Sequence, residues 1–194
     1  MLDLLRGVST ADRLVRAGVW QKNTGSLLSG KTLGILGLGR IGRRVVELTQ
    51  PFNMKYIAWD SSPDRHFANK YSIDFIGLDE LLAKADIVTI HLPYSPELKG
   101  IIGERELSLM KRDAFLLNTA RGELVDEVAL YKALKEKRIA GAALDVFEQE
   151  PYAGPLTKLD NIILTPHIGS YAIEARVEME TQAARNLIEG LKGD

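Results

Sequence analysis

The chain of 194 residues contains no cysteine, which excludes disulfide bonds and thiolate metal ligands. It has no excess of charge of either sign, since 25 basic residues stand against 26 acidic ones. Nucleic-acid binding needs clustered basic residues, so we expect no nucleic-acid partner. Apolar runs are shorter than the roughly 20 residues of a membrane span, and the first ten residues lack the basic flank of a signal peptide. We therefore expect a cytoplasmic protein without a membrane contact or a metal site.

The chain does contain a repeated pattern of short apolar strand, turn and amphipathic helix. Strands are predicted at Thr32–Leu36, Met54–Trp59, Ile73–Phe75, Asp86–His91, Ala114–Asn118, Ala140–Val146 and Ile162–Leu164. Several of these runs are apolar throughout, as in strands that are buried on both faces. Helices are predicted at Ile41–Gln50, Leu78–Lys84, Arg105–Met110 and Glu127–Lys137. The alternation predicts an α/β fold with a doubly wound parallel sheet of about seven strands.

Two predicted helices lie outside this repeat, at residues 1–20 (ending near Gly18) and at residues 171–190. Each has an apolar face, formed by Leu14, Val15 and Val19 in the first helix and by Ile173, Val177, Ala184, Leu187 and Ile188 in the second. Neither helix has a strand of its own to pack on, so we expect contacts with another domain or subunit. The predicted units are a hinge helix with a polar linker loop (1–30), a central domain (31–169) and a C-terminal helix (170–194).

A glycine-rich turn, Gly37-Leu-Gly39-Arg40-Ile41-Gly42, follows the first predicted strand and opens a helix. In such a turn the first glycine permits the tight bend, the second lets the backbone approach a pyrophosphate, and the third lets helix and strand pack closely. The helix N-terminus offers N–H groups to the phosphates. Asp60 ends the second strand 18 residues beyond Gly42, near the spacing of a carboxylate that binds the adenosine ribose. Together these features predict a Rossmann domain that binds a dinucleotide.

The choice of dinucleotide depends on Asp60. A carboxylate at this position accepts hydrogen bonds from both ribose hydroxyls and repels a 2′-phosphate, which favours NAD over NADP. In the alternative interpretation Asp60 caps Ser61 or Ser62 at the end of its strand. Arg65 lies close enough in sequence to leave NADP open.

Three ionisable residues follow later strands: Arg121, Glu150 and His167. Strand carboxyl ends converge at one edge of a doubly wound sheet, so the three side chains can meet there. Taken singly, each has a structural interpretation as a solvated cation, a turn acid or a structural histidine. The segments around them and around the glycine turn read GLGRIG, HLPYSPELKGIIG, NTARGELVDEVAL, GAALDVFEQEP and TPHIGSYAIEA. In this order and spacing they resemble the D-isomer-specific 2-hydroxyacid dehydrogenases, the family of phosphoglycerate dehydrogenase. Within the family the segments look closest to the phosphoglycerate branch, so the resemblance implies a phosphoglycerate dehydrogenase-like activity.

The resemblance implies roles for the three residues. Arg121 would bind the substrate carboxylate and polarise its carbonyl, His167 would be the catalytic acid/base, and Glu150 its partner. Reduction of a 2-keto acid needs a hydride at the carbonyl carbon and a proton on its oxygen. An imidazolium can supply the proton near neutral pH, and a guanidinium suits bidentate capture of a carboxylate.

The resemblance also implies contacts to the cofactor NAD. Asp145, with the backbone near Thr119 and Ala120, would bind the nicotinamide carboxamide, and His91 and Pro93 would lie in a loop over the cofactor. The full predicted set is Gly37, Gly39, Arg40, Ile41, Gly42, Asp60, His91, Pro93, Thr119, Ala120, Asp145 and Gly169. We expect His91 to pack beside the cofactor without entering the chemistry, and His66 to lie at the surface.

The chain departs from the family in the early position of the glycine turn, at residue 37. The family's N-terminal substrate domain, which precedes this turn, would be largely missing. We therefore expect the chain to bind cofactor but to reduce a 2-hydroxy or 2-keto acid substrate weakly by itself, and to form a homodimer through the cofactor domain and hinge helix. An alternative is an NAD-sensing, non-catalytic interaction protein similar to a corepressor. A domain of the adenosylhomocysteine hydrolase type is disfavoured by the NTARG, DVFEQEP and PHIG segments.

Overall fold

The structure, a computed structural model, describes residues 1–192. Its strands are β1 (Thr32–Leu36), β2 (Lys55–Trp59), β3 (Ile73–Phe75), β4 (Ile87–Ile90), β5 (Phe115–Asn118), β6 (Gly141–Leu144) and β7 (Ile162–Leu164). They form one sheet in the order β3-β2-β1-β4-β5-β6-β7, and every pairing is parallel. The predicted doubly wound, Rossmann-type sheet is confirmed, with strand ends that differ from the predicted ones by at most two residues.

The described residues form eight α-helices: α1 (Leu2–Arg6), α2 (Val8–Arg16), α3 (Arg40–Thr49), α4 (Arg65–Tyr71), α5 (Leu78–Lys84), α6 (Glu104–Leu109), α7 (Glu127–Lys135) and α8 (Ile173–Lys192). The buried side chains form two clusters, one built around Leu82, Leu116 and Leu130 and the other around Leu33, Val46 and Ile87. None of the described helices combines the length and apolar character that crossing a membrane requires.

The position of the ligand site follows from the strand order. The chain runs outward from β1 to β3 on one side and returns to β4, which pairs with the other edge of β1. Ligands of open parallel sheets bind where the order reverses, beyond the carboxyl ends of the strands. Here that crevice lies beyond Leu36 and Ile90, the last residues of β1 and β4. The glycine turn begins immediately after Leu36.

The N-terminal segment differs from the single predicted helix. Gly7 adopts a left-handed conformation with φ 59°, which divides the segment into α1 and α2, and α2 ends at Arg16 rather than near Gly18. Leu5 of α1 is buried among residues of the sheet, so α1 packs on this domain, contrary to the expectation. Helix α2 buries no residue within the described chain.

Helix α4 was missed by the sequence prediction because its segment is mostly polar. Asp64 provides the start signal, since its carboxylate accepts a hydrogen bond from the N–H of Phe67 at 3.1 Å. Only Ala68 of this helix is buried. His66 lies in α4 and is exposed, as expected for a surface residue.

The C-terminal helix α8 forms as predicted, but its apolar stripe is exposed. Ile173, Val177 and Leu187 are 79%, 60% and 65% exposed, and no residue from 173 to 191 is buried by the described part of the chain. The predicted unit 170–194 extends to residues 193–194, which lie outside the described residues. The helix therefore presents an apolar face that this domain does not cover.

Candidate active site

The glycine turn leaves an open approach to the backbone beside the start of α3. Gly37 has φ +91°, and a Cβ there would lie 2.8 Å from the carbonyl oxygen of His91. A Cβ on Gly42 would lie 2.3 Å from the carbonyl oxygen of Gly37, so helix and turn are in direct contact. A Cβ on Gly39, by contrast, would meet no protein atom within 4 Å. The two outer glycines are thus required by the fold, whereas space beside the middle one is left for a ligand.

Helix α3 directs its N-terminus at this space. Its first N–H groups have no partner within the helix, and its positive dipole end favours phosphate. Arg40 and Ile41, the first two residues, are exposed. The turn and the helix start therefore fit a pyrophosphate.

Asp60 connects the end of β2 to the glycine turn. Its Oδ2 accepts a hydrogen bond from the N–H of Leu38 at 2.7 Å, and its Oδ1 accepts one from the N–H of Ser62 at 2.8 Å. Asp60 therefore caps Ser62, and its bond to Leu38 also places the carboxylate beside the turn, where a ribose would follow a bound pyrophosphate. A carboxylate has about four acceptor positions, so two remain for ribose hydroxyls.

Arg43, a cation near Asp60, is paired with a carboxylate. The Arg43 guanidinium lies 2.8 Å from the carboxylate of Asp64, donates to the carbonyl oxygen of Leu38 at 3.0 Å, and lies over the ring of Phe67. Arg65 is exposed at the first position of α4. The pairing of Arg43 with Asp64 leaves less positive charge for a 2′-phosphate, in accordance with the preference for NAD.

Glu150 and His167 form a hydrogen-bonded pair at the same edge of the sheet. Glu150 lies in the loop between β6 and β7, and its Oε2 is 2.9 Å from Nδ1 of His167, which follows β7. Glu150 Oε1 accepts a hydrogen bond from the N–H of Phe147 at 3.0 Å. The hydrogen bond from His167 and the one from Phe147 hold the pKa of the Glu150 carboxyl below its ordinary value. The carboxylate fixes one ring nitrogen and leaves Nε2 for a substrate.

The backbone of His167 is in the left-handed region, with φ 56°. This conformation costs a side chain about 1–2 kcal/mol, so the surrounding structure must stabilise it. Asp145 provides that support, because its buried carboxylate accepts hydrogen bonds from the Thr165 hydroxyl and from the N–H groups of Ile168 and Gly169. Asp145 thus holds the loop on both sides of His167, a role that sequence reasoning missed.

Arg121 lies in the turn after β5 and is exposed. Its Nη1 donates to the carbonyl oxygen of Ala120 at 2.6 Å. The following residue, Gly122, is buried against the backbone of the next loop, and a Cβ there would lie 1.9 Å from the carbonyl carbon of Phe147. Phe147 in turn donates its N–H to Glu150, so the Arg121 turn rests on the loop that orients the Glu150–His167 pair. Gly122 was missed too; a glycine directly after a candidate binding residue is the signal that would have found it.

The other predicted cofactor contacts lie at the same edge. Thr119 and Ala120 follow β5, Gly169 follows β7, and Pro93 is exposed beyond β4. The structure thus brings the predicted residues to one edge of the sheet, beyond β1, β2, β4, β5, β6 and β7. Their individual roles toward cofactor and substrate stay predictions.

His91 follows β4 and is largely enclosed. Its Nε2 is 3.0 Å from the hydroxyl of Thr89, and burial lowers its pKa from 6.5 to about 4. The folded protein therefore favours a neutral ring at neutral pH, which fits packing beside a cofactor.

We expect His91 to make the domain sensitive to acid. Because its folded pKa lies below its unfolded value, the unfolded chain takes up a proton first, and stability is lost as pH falls from about 6.5 toward about 4. Between pH 6.5 and 5 this amounts to about 2 kcal/mol. Urea unfolding at both pH values measures the free energy of unfolding. Its decrease between pH 6.5 and 5 should be smaller by this amount in His91→Gln than in the wild type, and the matched control His66→Gln should behave as the wild type does. An equal loss in all three proteins would contradict the prediction.

This geometry defines a class of protein: a dinucleotide-binding Rossmann domain with a carboxylate–imidazole pair beyond its crevice. The comparisons narrow the class. Residues 1–169 match the family described as D-isomer specific 2-hydroxyacid dehydrogenase, NAD binding domain. The chain belongs to this family and is an NAD-binding domain, which confirms the resemblance seen in the sequence.

Similar proteins include glyoxylate reductases and D-3-phosphoglycerate dehydrogenases. The chain is 48% identical to a glyoxylate reductase of Thermofilum pendens over 100% of its length and 60% of that protein. It is 41% identical to a D-3-phosphoglycerate dehydrogenase of Methanocaldococcus jannaschii over 100% of its length and 38% of that protein. The chain thus spans about three fifths of the first relative and less than half of the second.

Solved structures agree in fold. The crystal structure of the TT0316 protein of Thermus thermophilus matches with a TM-score of 0.92 at 38% identity, covering 99% of this chain and 62% of that one. The D-lactate dehydrogenase of Aquifex aeolicus, complexed with NAD and lactic acid, matches with a TM-score of 0.90 at 31% identity, covering 100% and 64%.

Proposed function

We propose that this chain is the cofactor-binding part of an NAD-dependent dehydrogenase that interconverts a small D-2-hydroxy acid and its 2-keto acid. The observation that carries the proposal is the Glu150–His167 pair, held at 2.9 Å at the edge of the sheet to which the glycine turn and Asp60 also belong. A domain that only bound NAD would not need an imidazole whose backbone is held in a strained conformation by three hydrogen bonds to Asp145.

In this proposal Arg121, His167 and Glu150 each have a separate role in the reduction of a 2-keto acid. NADH, when bound, supplies a hydride to the carbonyl carbon. Arg121 binds the substrate carboxylate and withdraws electron density from the carbonyl, because a guanidinium offers two parallel donors. His167 delivers the proton to the carbonyl oxygen from Nε2, and the Glu150 carboxylate stabilises the charged ring and fixes its orientation.

NAD is the preferred cofactor in this proposal. Asp60 stands beside the glycine turn with acceptor positions to spare, and a 2′-phosphate would meet its negative charge. A solved relative, an acyclic imino acid reductase in complex with NADPH, is 34% identical and shows that a similar fold accommodates the phosphate. Binding constants for NADH and NADPH on this chain test the preference.

A second wall of the site would come from residues outside this chain. The Arg121 and His167 side chains are exposed, although their chemistry requires exclusion of water. Relatives are longer than this chain, and an additional domain closing over these residues would exclude the water. The exposed stripe of α8 is one surface on which such a domain can pack. We therefore expect the 194-residue chain to bind NADH but to reduce a keto acid slowly.

The decisive experiment measures NADH oxidation by the full-length gene product and by the 194-residue chain. The panel is glyoxylate, hydroxypyruvate, phosphohydroxypyruvate and pyruvate. The sequence segments resemble the phosphoglycerate branch of the family, whereas the higher identity is to a glyoxylate reductase. Faster turnover of phosphohydroxypyruvate would favour the first activity, and faster turnover of glyoxylate the second. Turnover with one panel member by the full-length protein supports the proposal. NADH binding without turnover would instead support the non-catalytic, NAD-sensing alternative.

A homodimer is a further part of the proposal. Four apolar side chains are at least half exposed: Ile41 and Leu48 on α3, and Val15 and Trp20 in the N-terminal segment. Their burial against a second copy of the chain would favour association. Light scattering after size-exclusion chromatography tests it, and a monomer at micromolar concentration contradicts it. The proposal also places the protein in the cytoplasm, which cell fractionation tests.

A further inference from the structure

Asn118 is a buried polar residue to which the proposed chemistry gives no role. It is the last residue of β5, is 0% exposed, and pairs with Ile90 of β4 on one side and Leu144 of β6 on the other. Its carbonyl oxygen accepts a hydrogen bond from the N–H of Asp145 at 3.0 Å. The backbone of Asn118 is therefore fixed by both neighbouring strands.

The side chain of Asn118 bridges the turn that follows it. Its Oδ1 accepts a hydrogen bond from the N–H of Ala120 at 3.0 Å, and its Nδ2 donates to the carbonyl oxygen of Arg121 at 2.8 Å. One amide thus holds the turn at two points, one before and one at Arg121. The amide provides both an acceptor and a donor in this arrangement, whereas an ionised carboxylate lacks the donor and an apolar side chain lacks both.

We propose that Asn118 is a positioning residue that fixes the turn from Thr119 to Arg121, and thereby the guanidinium that binds the substrate carboxylate. The inference rests on the proposed function of Arg121. The connection is short, since Asn118 bonds to the carbonyl group of the same residue whose side chain would hold the substrate. The backbone of Gly122 already packs directly on that of Phe147, so the turn has no room to shift toward that residue.

The test measures the kinetics of Asn118→Asp in the full-length protein and the hydrogen exchange of Asn118→Ala in this chain. The carboxylate still accepts from Ala120 but opposes the carbonyl oxygen of Arg121. In the full-length protein we expect KM for the preferred keto acid to rise about 10-fold, because a small displacement of a binding group weakens substrate contacts. We expect a smaller change in the Kd for NADH, of less than about 3-fold, because the glycine turn and Asp60 are untouched and the released turn carries only the predicted backbone contacts near Thr119 and Ala120.

Protonation of the new aspartate gives a specific rescue. A protonated carboxyl donates to the carbonyl oxygen of Arg121 and accepts from Ala120, as the amide does. Burial favours the protonated form, and the charged groups nearby are Arg121 in the same turn and Asp145, whose N–H bonds to Asn118. The ratio of mutant to wild-type KM should therefore shrink between pH 7.5 and pH 5.5, which a general loss of stability would not produce.

Asn161 provides the matched control. It lies before β7, at the opposite edge of the sheet, and its Nδ2 donates to the carbonyl oxygens of Leu134 and Ala140. Asn161→Asp removes a comparable amide donor and should leave KM unchanged. If Asn118→Asp does not fold, Asn118→Ala, which removes both the acceptor for Ala120 and the donor to Arg121, replaces it.

The outcomes are separable. A rise in KM that exceeds the change in the Kd for NADH supports the proposal, and an unchanged KM in a folded Asn118 variant overturns it. Hydrogen exchange of the Ala120 amide in the 194-residue chain tests the bridge independently of substrate, and the amide should exchange faster in Asn118→Ala, which removes its acceptor. Equal exchange in the variant and the wild type also overturns the proposal. Wild-type protein that reduces no panel member refutes the proposed function itself, before any variant is compared.

Discussion

Replacing His167 with asparagine is expected to lower kcat of the full-length protein by about 10²- to 10⁴-fold, the usual contribution of a positioned acid or base. Asparagine tolerates the left-handed backbone of this position, so the loop and its bonds to Asp145 should persist. The Kd for NADH should stay unchanged, because the dinucleotide contacts do not include the imidazole. Stopped-flow kinetics with the preferred keto acid measure the effect. His66→Asn, in the exposed helix α4, is the control and should retain full activity.

Glu150→Gln tests the contribution of the carboxylate partner while the acid, His167, is retained, and it is expected to lower kcat. Glutamine can still accept the N–H of Phe147, but it cannot compensate a charge on His167. Since His167 and Phe147 lower the pKa of the Glu150 carboxyl, wild-type Glu150 stays ionised at neutral and mildly acidic pH, and the deficit of the variant should extend over that whole range. Wild-type rates in both variants would show that the proton is delivered by another group, and the catalytic assignment would be wrong.

The sequence predicted the fold well because its strongest signals are local. Each apolar run such as Ile87–Ile90 is bounded by polar residues or turns, and parallel strands buried on both faces have few other readings. The glycine turn was predicted equally well, because a Cβ at Gly37 or Gly42 would collide with neighbouring backbone and only glycine fits there. Helix α4 was not predicted because only Ala68 is buried, so the segment has almost no apolar periodicity, and the N-cap Asp64 was its main signal.

The resemblance assigned roles to Arg121, Glu150 and His167, and those roles stay predictions. The contacts that hold these residues were not predicted: Asn118 was not singled out, and Asp145 was expected at the nicotinamide carboxamide instead. Asn118 and Asp145 act through hydrogen bonds to backbone groups of distant or adjacent turns, and such contacts leave no periodic pattern in a sequence. The prediction of a single N-terminal helix was wrong for a related reason. One left-handed glycine, Gly7, ends α1, and Leu5 of that helix is buried against the sheet.

Replacing Gly39 with alanine is expected to weaken NADH binding by about 10- to 100-fold without unfolding the chain. The added methyl group meets no protein atom within 4 Å, and the backbone at φ −74° is open to any residue, so the free protein accommodates it. A pyrophosphate that approaches the backbone at this position would instead collide with the methyl group, at the cost of roughly 1–3 kcal/mol for overpacking. Isothermal titration of the 194-residue chain with NADH measures the loss.

Gly77→Ala is the matched control for this substitution. Gly77 precedes α5 as Gly39 precedes α3; it is extended, and a Cβ there also meets nothing within 4 Å. Both changes replace glycine at a helix start, so each should alter the free energy of unfolding by at most about 1 kcal/mol. Only Gly39 faces the crevice at the reversal of strand order, so only its variant should lose affinity. If both variants bound NADH as tightly as the wild type, the pyrophosphate would have to lie away from the glycine turn, and Asp60 could no longer be its ribose partner.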